Sequence, residues 1–357
     1  MDATETESLT DQVQRERRGL LAHAYRMLGS WDEAEDAVQE TCLRAWRSRE
    51  TFENRSSVRV WLYRIATNTC LSAIEGRRRR ALPSGLGAPS SDPSAPSEVA
   101  GPETWIQPIP TSLVADPAAE VVAREGVRLA FIAGLQYLPP QQRAVLLLRD
   151  VLKFSAAEAA RILETSVPAV KSALQRARGR LNEVSPTRED VREPTERRAR
   201  ELLEQYMAAW ERSDPVEFER VLRADATLEG VPSKTWFAGK VACVAFAAPS
   251  MGDAGAWRMV PIDANGQPAV AAWVGGEPFG IAVLTMATDG IARITLFADP
   301  DLVARFTKPD VAPRGPILTR WTLRSAARSC TGGDRRRGTS SSCRTRSATS
   351  WRRSPKP

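Results

Sequence analysis

"LETSVPAVKSALQRARGRL", residues 163–181, places an apolar stripe and a row of basic and small polar side chains on one helix. Val167, Val170, Leu174, Ala177 and Leu181 recur at the three-and-four spacing of a buried helix face. The opposite side carries Lys171, Ser172, Gln175 and Arg176, a set suited to phosphates and base edges. A bland surface helix more often pairs each base with an acid four positions away. Upstream, "SAAEAARIL" offers Ser155 and Glu158 as a capping box. A tight "ETS" turn follows, and Ser166 can cap the second helix with Pro168 in its first turn. Two short helices joined this way read as a helix-turn-helix, whose second helix enters the major groove with its N-terminal half nearest the bases. An ordinary helical hairpin is the alternative.

At 357 residues the chain is long enough for several domains. No apolar run approaches the roughly 18 residues of a membrane span, and the acidic, polar N-terminus does not read as a signal peptide, so a cytoplasmic protein is expected. Cys42, Cys70, Cys243, Cys330 and Cys343 show no paired spacing, and His23 is the sole histidine, so neither a disulfide framework nor a metal site is expected. No cofactor is implied. The net charge of +7 hides an asymmetry: from Val311 onward there are 12 Lys or Arg against the single acid Asp334. The preceding residues are slightly acidic, with their bases clustered, as in "EGRRRR" at 75–80, and local clusters are what an electrostatic footprint needs.

Composition divides the chain. Residues 15–80 read as helices, and 81–119 as a flexible linker rich in Pro, Ser and Gly. Residues 120–184 return to helices. Residues 195–307 open with a helix whose face holds Leu202, Leu203, Tyr206 and Trp210, then turn to strands, with hairpin signals at Asn265-Gly266 and Asp289-Gly290. Helices followed by antiparallel strands predict a small α+β domain. Residues 311–357 read as a basic disordered tail, either a nucleic-acid arm or coding sequence read out of frame.

Two further helices carry chemistry. In "GSWDEAEDAVQETCLRAWRSRE", Ser30 and Glu33 form a second potential capping box, and Ala34, Ala37, Val38, Thr41, Cys42, Ala45 and Trp46 make the inner face. Asp32, Asp36, Gln39, Glu40 and Arg44 lie outside, where a solvated face is the ordinary explanation. In "FENRSSVRVWLYRIATNTCLSAIEGRRRR", Trp61, Arg64 and Asn68 share a stripe that ends in Arg77, Arg78, Arg79 and Arg80. Aromatic, amide and basic groups in one row suit unstacked bases and their backbone. Trp61 alone reads equally as core.

Together, "AYRMLGSWDEAEDAVQETCLRAWR" with "VWLYRIATNTCLSAIEGRRRR", and "LPPQQRAVLLLRDVLKFSAAEAARILETSVPAVKSALQRARGRL", resemble regions 2 and 4 of the extracytoplasmic-function (ECF) sigma factors of the sigma-70 family. The "GRRRR" junction, "WIQPIP" and the "ANGQPAVAAW" hairpin resemble the sigma-G-type subgroup, which carries a ketosteroid-isomerase-like (SnoaL-like) domain. The resemblance runs from about Gly19 to Phe306. It implies two all-α sigma domains, a helical region 2 and a helix-turn-helix region 4, followed by an α+β cone. It also implies a non-catalytic protein that binds core RNA polymerase, through the β′ clamp helices and the β flap, and promoter DNA.

Residue by residue, the resemblance makes Asp32, Asp36, Gln39, Glu40 and Arg44 polymerase contacts. It places Asn54 and Arg55 in a loop that captures a flipped base of the minus-ten element. Trp61, Arg64, Asn68 and Arg77 to Arg80 flank the melting strand, while Ser166, Lys171, Ser172, Gln175 and Arg176 read the minus-thirty-five element. Trp236, Trp257, Trp273 and Phe279 are candidates to line a ligand pocket in the cone, through which a small molecule regulates the sigma domains. A stand-alone helix-turn-helix regulator and a small-molecule enzyme are the competing readings. An isomerase-type site requires a carboxylate base with a paired hydrogen-bond donor, and no such pair is identifiable among Asp225, Glu229 and Asp263.

Overall fold

The structure, a computed structural model, describes residues 3–49, 57–94, 98–101, 105–114, 127–184 and 194–307, with side chains from residue 11 onward. Three helices open the chain: α1 (Ala3–Leu28), α2 (Trp31–Arg47) and α3 (Val58–Ile74). Their shared core includes the fully buried Leu20, Tyr25, Met27, Leu62 and Tyr63. Gly29 makes the sharp turn from α1 into α2 at φ +69, a conformation that disfavours any side chain. The Ser30 hydroxyl then accepts the Glu33 amide at 3.3 Å and starts α2, with acids in its first turn and arginines in its last. The expected capping box is only half made, because the Glu33 carboxylate pairs instead with Arg77 and Arg80.

After the short α4 (Thr111–Val114), α5 (Leu129–Gln136) and α6 (Pro140–Leu146) lead through a wider π-type turn at Leu147–Val151 into α7 (Ala156–Ile162) and α8 (Val167–Val184). The α7–α8 pair has the helix-turn-helix form. Ser155 and Glu158 complete their capping box, Glu164 takes φ +52 in the turn, and Ser166 caps α8 through the Ala169 amide at 3.3 Å. Val170, Leu174 and Ala177 are buried, as the stripe requires.

The last domain packs α9 (Glu196–Glu211), α10 (Pro215–Val221) and α11 (Lys240–Met251) on a six-stranded sheet. Its strands are β1 (Leu222–Val231), β2 (Trp236–Ala238), β3 (Trp257–Ala264), β4 (Gln267–Val274), β5 (Glu277–Ala287) and β6 (Gly290–Phe297). The order is β2-β1-β6-β5-β4-β3, antiparallel except for the parallel β1–β6 pair. Asn265 and Gly266 form the expected tight turn with φ +55 and +67. The second expected turn shifts by one residue: Ala287 pairs with Gly290, so Thr288 and Asp289 occupy the loop.

Period-two alternation splits the sheet into two buried faces. Leu228, Val270, Ala272, Ala282, Leu284 and Ile294 join the α9–α11 cluster that includes Tyr206 and Phe218. Ala269, Ala271, Trp273, Ile281, Val283 and Phe297 join a different cluster, which contains the cores of both helical domains and Leu302 and Val303 of α12 (Pro300–Phe306). Both faces are therefore covered within one chain.

The segment expected to be a flexible linker supplies much of that cover. Ile106 and Ile109 are fully buried, and Leu82 and Trp105 nearly so. Burying each such side chain stabilises by roughly 1.5–3 kcal/mol. Its backbone is tied as well: Gln107 N–H donates to Gly29 O at 3.0 Å, and Ser90 N–H to Trp236 O at 2.7 Å. Pro and Gly removed the helical period, but the apolar side chains of "WIQPIP" remained available to a surface distant in sequence. The expected boundary between residues 119 and 120 and the tail at 311–357 lie outside the described residues.

Candidate functional site

The outward face of α8 carries Lys171, Ser172, Gln175 and Arg176, all exposed. Arg176 donates to the Ser172 hydroxyl at 2.6 Å, one turn back on the same helix. Ser166 is exposed at the cap. The face presents its cations and amide to solvent at the N-terminal half of a capped helix, where backbone dipoles also favour an anion.

On α2, Asp36, Gln39 and Arg44 are exposed and Glu40 is half-buried, with Glu40 and Arg44 paired at 2.6 Å. Trp46, expected on the inner face, is instead 49% exposed, and Leu43 is 51% exposed. Trp46 follows the buried Ala45 and is rotated off the stripe by one helical step, and Arg49 covers its ring at 4.6 Å. The surface thus joins charge to exposed apolar area. Asp32 is different: its carboxylate accepts Arg305 at 2.6 Å and Gln107 Nε2 at 2.8 Å. Arg305 also lies over the Trp31 ring at 3.5 Å, and Phe306 meets that ring edge-on.

The arginine-rich stripe is largely engaged within the chain. Arg64 pairs with Glu164 of the helix-turn-helix turn, Nε to Oε1 at 2.8 Å. Beside it, Arg59 stacks on Phe154 at 4.3 Å, and Tyr63 meets the same ring at 5.2 Å. Trp61 and Asn68 are half-buried on α3. Arg77 and Arg80 hold Glu33, Arg80 also donates to Trp105 O at 2.8 Å, and Arg79 lies over the Tyr137 ring at 3.7 Å. Arg78 is exposed. The run expected to track a DNA strand therefore fastens the linker and both helical domains. Asn54 and Arg55 lie outside the described residues.

The four aromatic pocket candidates do not come together. Trp257 and Phe279 lie between the sheet and α9, with Trp210 and Trp257 5.0 Å apart and Trp257 and Phe279 also 5.0 Å apart, edge to face. Trp273 is on the opposite sheet face beneath Arg258. Trp236 sits at the sheet edge and donates its indole N–H to Gly87 O of the linker at 2.8 Å. Strand alternation separates 257 from 273 across the sheet, which spacing along the chain did not reveal. The carboxylates are also dispersed: Asp225 pairs with Arg223 and Asp263 is exposed. Glu229 is buried on the linker-facing side, where it accepts the Thr295 hydroxyl and the Ser84 amide, both at 3.0 Å.

Two highly connected polar residues were not among the site candidates read from the sequence. Asn265, fully buried at the β3–β4 turn, donates through Nδ2 to the Tyr25 hydroxyl and to Val127 O, each at 2.7 Å. Its Oδ1 accepts the Ile109 amide at 3.1 Å, and its own amide donates to Ile109 O at 2.9 Å. Thr111 Oγ1 accepts the adjacent Gly266 amide at 2.9 Å. One hairpin tip therefore binds the first helix, the linker and the approach to α5. Arg143 is a second such junction: its guanidinium donates to Met27 O at the end of α1, to Gln136 Oε1 at 2.8 Å and to Leu138 O at 3.2 Å. Burial lowers its pKa to about 10. "NG" signalled a turn, and nothing local signalled that the turn would be buried.

Comparison with known proteins accords with this architecture. Residues 12–80 match the Sigma-70 region 2 family and residues 128–181 the Sigma-70 region 4 family. The chain is 47% identical over 306 residues to the ECF RNA polymerase sigma factor SigG of Mycobacterium tuberculosis, covering 82% of each chain. It is 34% identical over 172 residues to SigM of the same organism, covering 48% of this chain and 74% of SigM. The crystal structure of the M. tuberculosis sigma factor SigJ shares the fold, with TM-score 0.53 and 24% identity over 84% of this chain and 97% of that one. Two helical sigma regions in order, the helix-turn-helix and near full-length similarity to a curated sigma factor lead to one conclusion: this chain belongs to the ECF sigma factors of the sigma-70 family.

Proposed function

We propose that this sigma factor engages the β′ clamp helices of core RNA polymerase through the α2 face at Asp32, Asp36, Gln39, Glu40 and Arg44, joined by the exposed Leu43 and Trp46. Region 4 meets the β flap and reads minus-thirty-five duplex with α8, while α3 and the arginine run hold the opened minus-ten strand. Strand capture offsets the few kcal/mol needed to take a base out of the stack. The work is done in the cytoplasm, where polymerase and DNA are.

The C-terminal cone acts as a brake. The observation that supports this most strongly is Arg305 of α12 holding Asp32 of the α2 face, beside the pairing of Arg64 with Glu164 of the helix-turn-helix turn. Side chains with these partners must exchange them before meeting polymerase or DNA, so a closed and an open arrangement compete. A small molecule regulates the protein only if it prefers one of them. We read the cone as a regulatory module: Asp225 is paired with Arg223, Asp263 is exposed, and Glu229 lies on the linker-facing side of the sheet with Thr295 and Ser84.

Transcription of genomic fragments by purified core polymerase, with and without the full chain, tests the assignment. New start sites are expected, and their number and strength should rise with Arg305→Glu. Absence of any chain-dependent start site overturns it.

A further inference from the structure

Region 4 faces two ways in this structure. Its inner side packs against α3 at the stripe: Glu164 pairs with Arg64, both side chains staying about half exposed, while Phe154 and Leu152 O receive Arg59. Its outer side, the α8 face at Lys171, Ser172, Gln175 and Arg176, is exposed among the described residues. The elements that pack on α8 are α5, α6 and α7 of the same domain. The two surfaces suit different nucleic acids. A capped helix with a short basic and amide row fits the major groove of a duplex. An aromatic and arginine stripe fits unstacked bases.

We infer that the closed chain, without polymerase, is a duplex-DNA binder whose single-strand surface is partly engaged, at Arg64, by the same domain that offers the duplex surface. This rests on the assignment of α8 to duplex DNA and adds that the α8 surface is open while Arg64 of the α3 surface is held by Glu164. Duplex search and strand capture are then separate events. The free factor can associate with duplex through α8, and a strand is accepted only after Glu164 releases Arg64. The Arg64 pair also neutralises the one acid in the helix-turn-helix turn, which lowers repulsion of duplex phosphates in the closed arrangement.

The test uses the full-length chain and fluorescein-labelled DNA, a mixed-sequence duplex and one of its strands, with anisotropy read across a salt series. The basic tail is present in every variant, so differences between variants report the two surfaces. The wild-type chain should bind duplex at least about tenfold more tightly than single strand, with affinity falling steeply with salt. The combined substitution Lys171→Ala, Gln175→Ala and Arg176→Ala should lower duplex affinity by about tenfold or more and leave single-strand binding unchanged. Glu164→Ala should raise single-strand affinity several-fold while duplex affinity stays within about twofold. Equal wild-type affinity for both probes, or a triple variant that keeps duplex affinity, overturns the inference. If the free chain fails to bind duplex while the triple variant still loses promoter-dependent transcription with polymerase, the assignment of α8 stands and this inference falls.

Discussion

The Asn265 side chain lies 2.7 Å from the Tyr25 hydroxyl, joining residues 240 positions apart in the buried seam between the cone and the first helix. Asn265 uses both donors and its acceptor there, and burial raises the Tyr25 pKa well above the ordinary phenol value. Asn265→Asp preserves the turn, because Asp also tolerates the left-handed region, but removes the donors to Tyr25 and Val127. The closed arrangement should lose about 1–3 kcal/mol per orphaned partner. Faster hydrogen exchange at the Ile109 and Gly266 amides, with the sheet itself still protected, is the expected readout. A double-mutant cycle with Tyr25→Phe should show coupling, since the two groups share a bond.

Arg305 makes a partly exposed ion pair with Asp32 and covers the Trp31 ring. The ion pair contributes about 0.2–1 kcal/mol and the cation–π contact a similar amount. Arg305→Ala should therefore speed association with core polymerase several-fold while thermal stability changes little. Surface-immobilised polymerase would read the rate, and an unchanged rate would show that α12 does not compete for Asp32.

Arg143 should be the most sensitive position between the helical domains. Arg143→Met leaves the carbonyls of Met27, Gln136 and Leu138 without their donor and should destabilise by about 3–5 kcal/mol. Arg143→Lys keeps the charge but not the planar fork, so an intermediate loss is expected in denaturant titration.

His23 gives a pH signature. Burial, assisted by Arg26, lowers its pKa from 6.5 to about 3, and Nε2 lies 3.0 Å from the Thr67 hydroxyl. In the unfolded chain the imidazole takes up a proton below about pH 6.5, whereas in the folded chain it remains neutral down to about pH 3. Stability from this group is therefore full above 6.5 and declines by about 1.4 kcal/mol per pH unit as pH falls toward 3. His23→Gln should flatten that part of the pH dependence. A slope identical to wild type would place the acid sensitivity elsewhere.

Local sequence determined the elements. Serine caps set the starts of α2, α7 and α8, the Val170–Leu174–Ala177 spacing set the buried side of the recognition helix, and Asn265-Gly266 set a turn. These features act over one or two helical turns or across a single hairpin, so their physics is legible from neighbours in the chain. The tertiary structure alone decided what the elements touch. It gave Asp32, Arg64, Arg77 and Arg80 ion-pair partners within the chain, separated Trp257 from Trp273 across a sheet, and sank Asn265 and the "WIQPIP" stretch into the seam between domains. A long charged side chain reads the same whether it ends in water, on DNA or on a carboxylate a hundred residues away. Its destination depends on which surfaces the whole chain buries, and that is a property of the packed molecule.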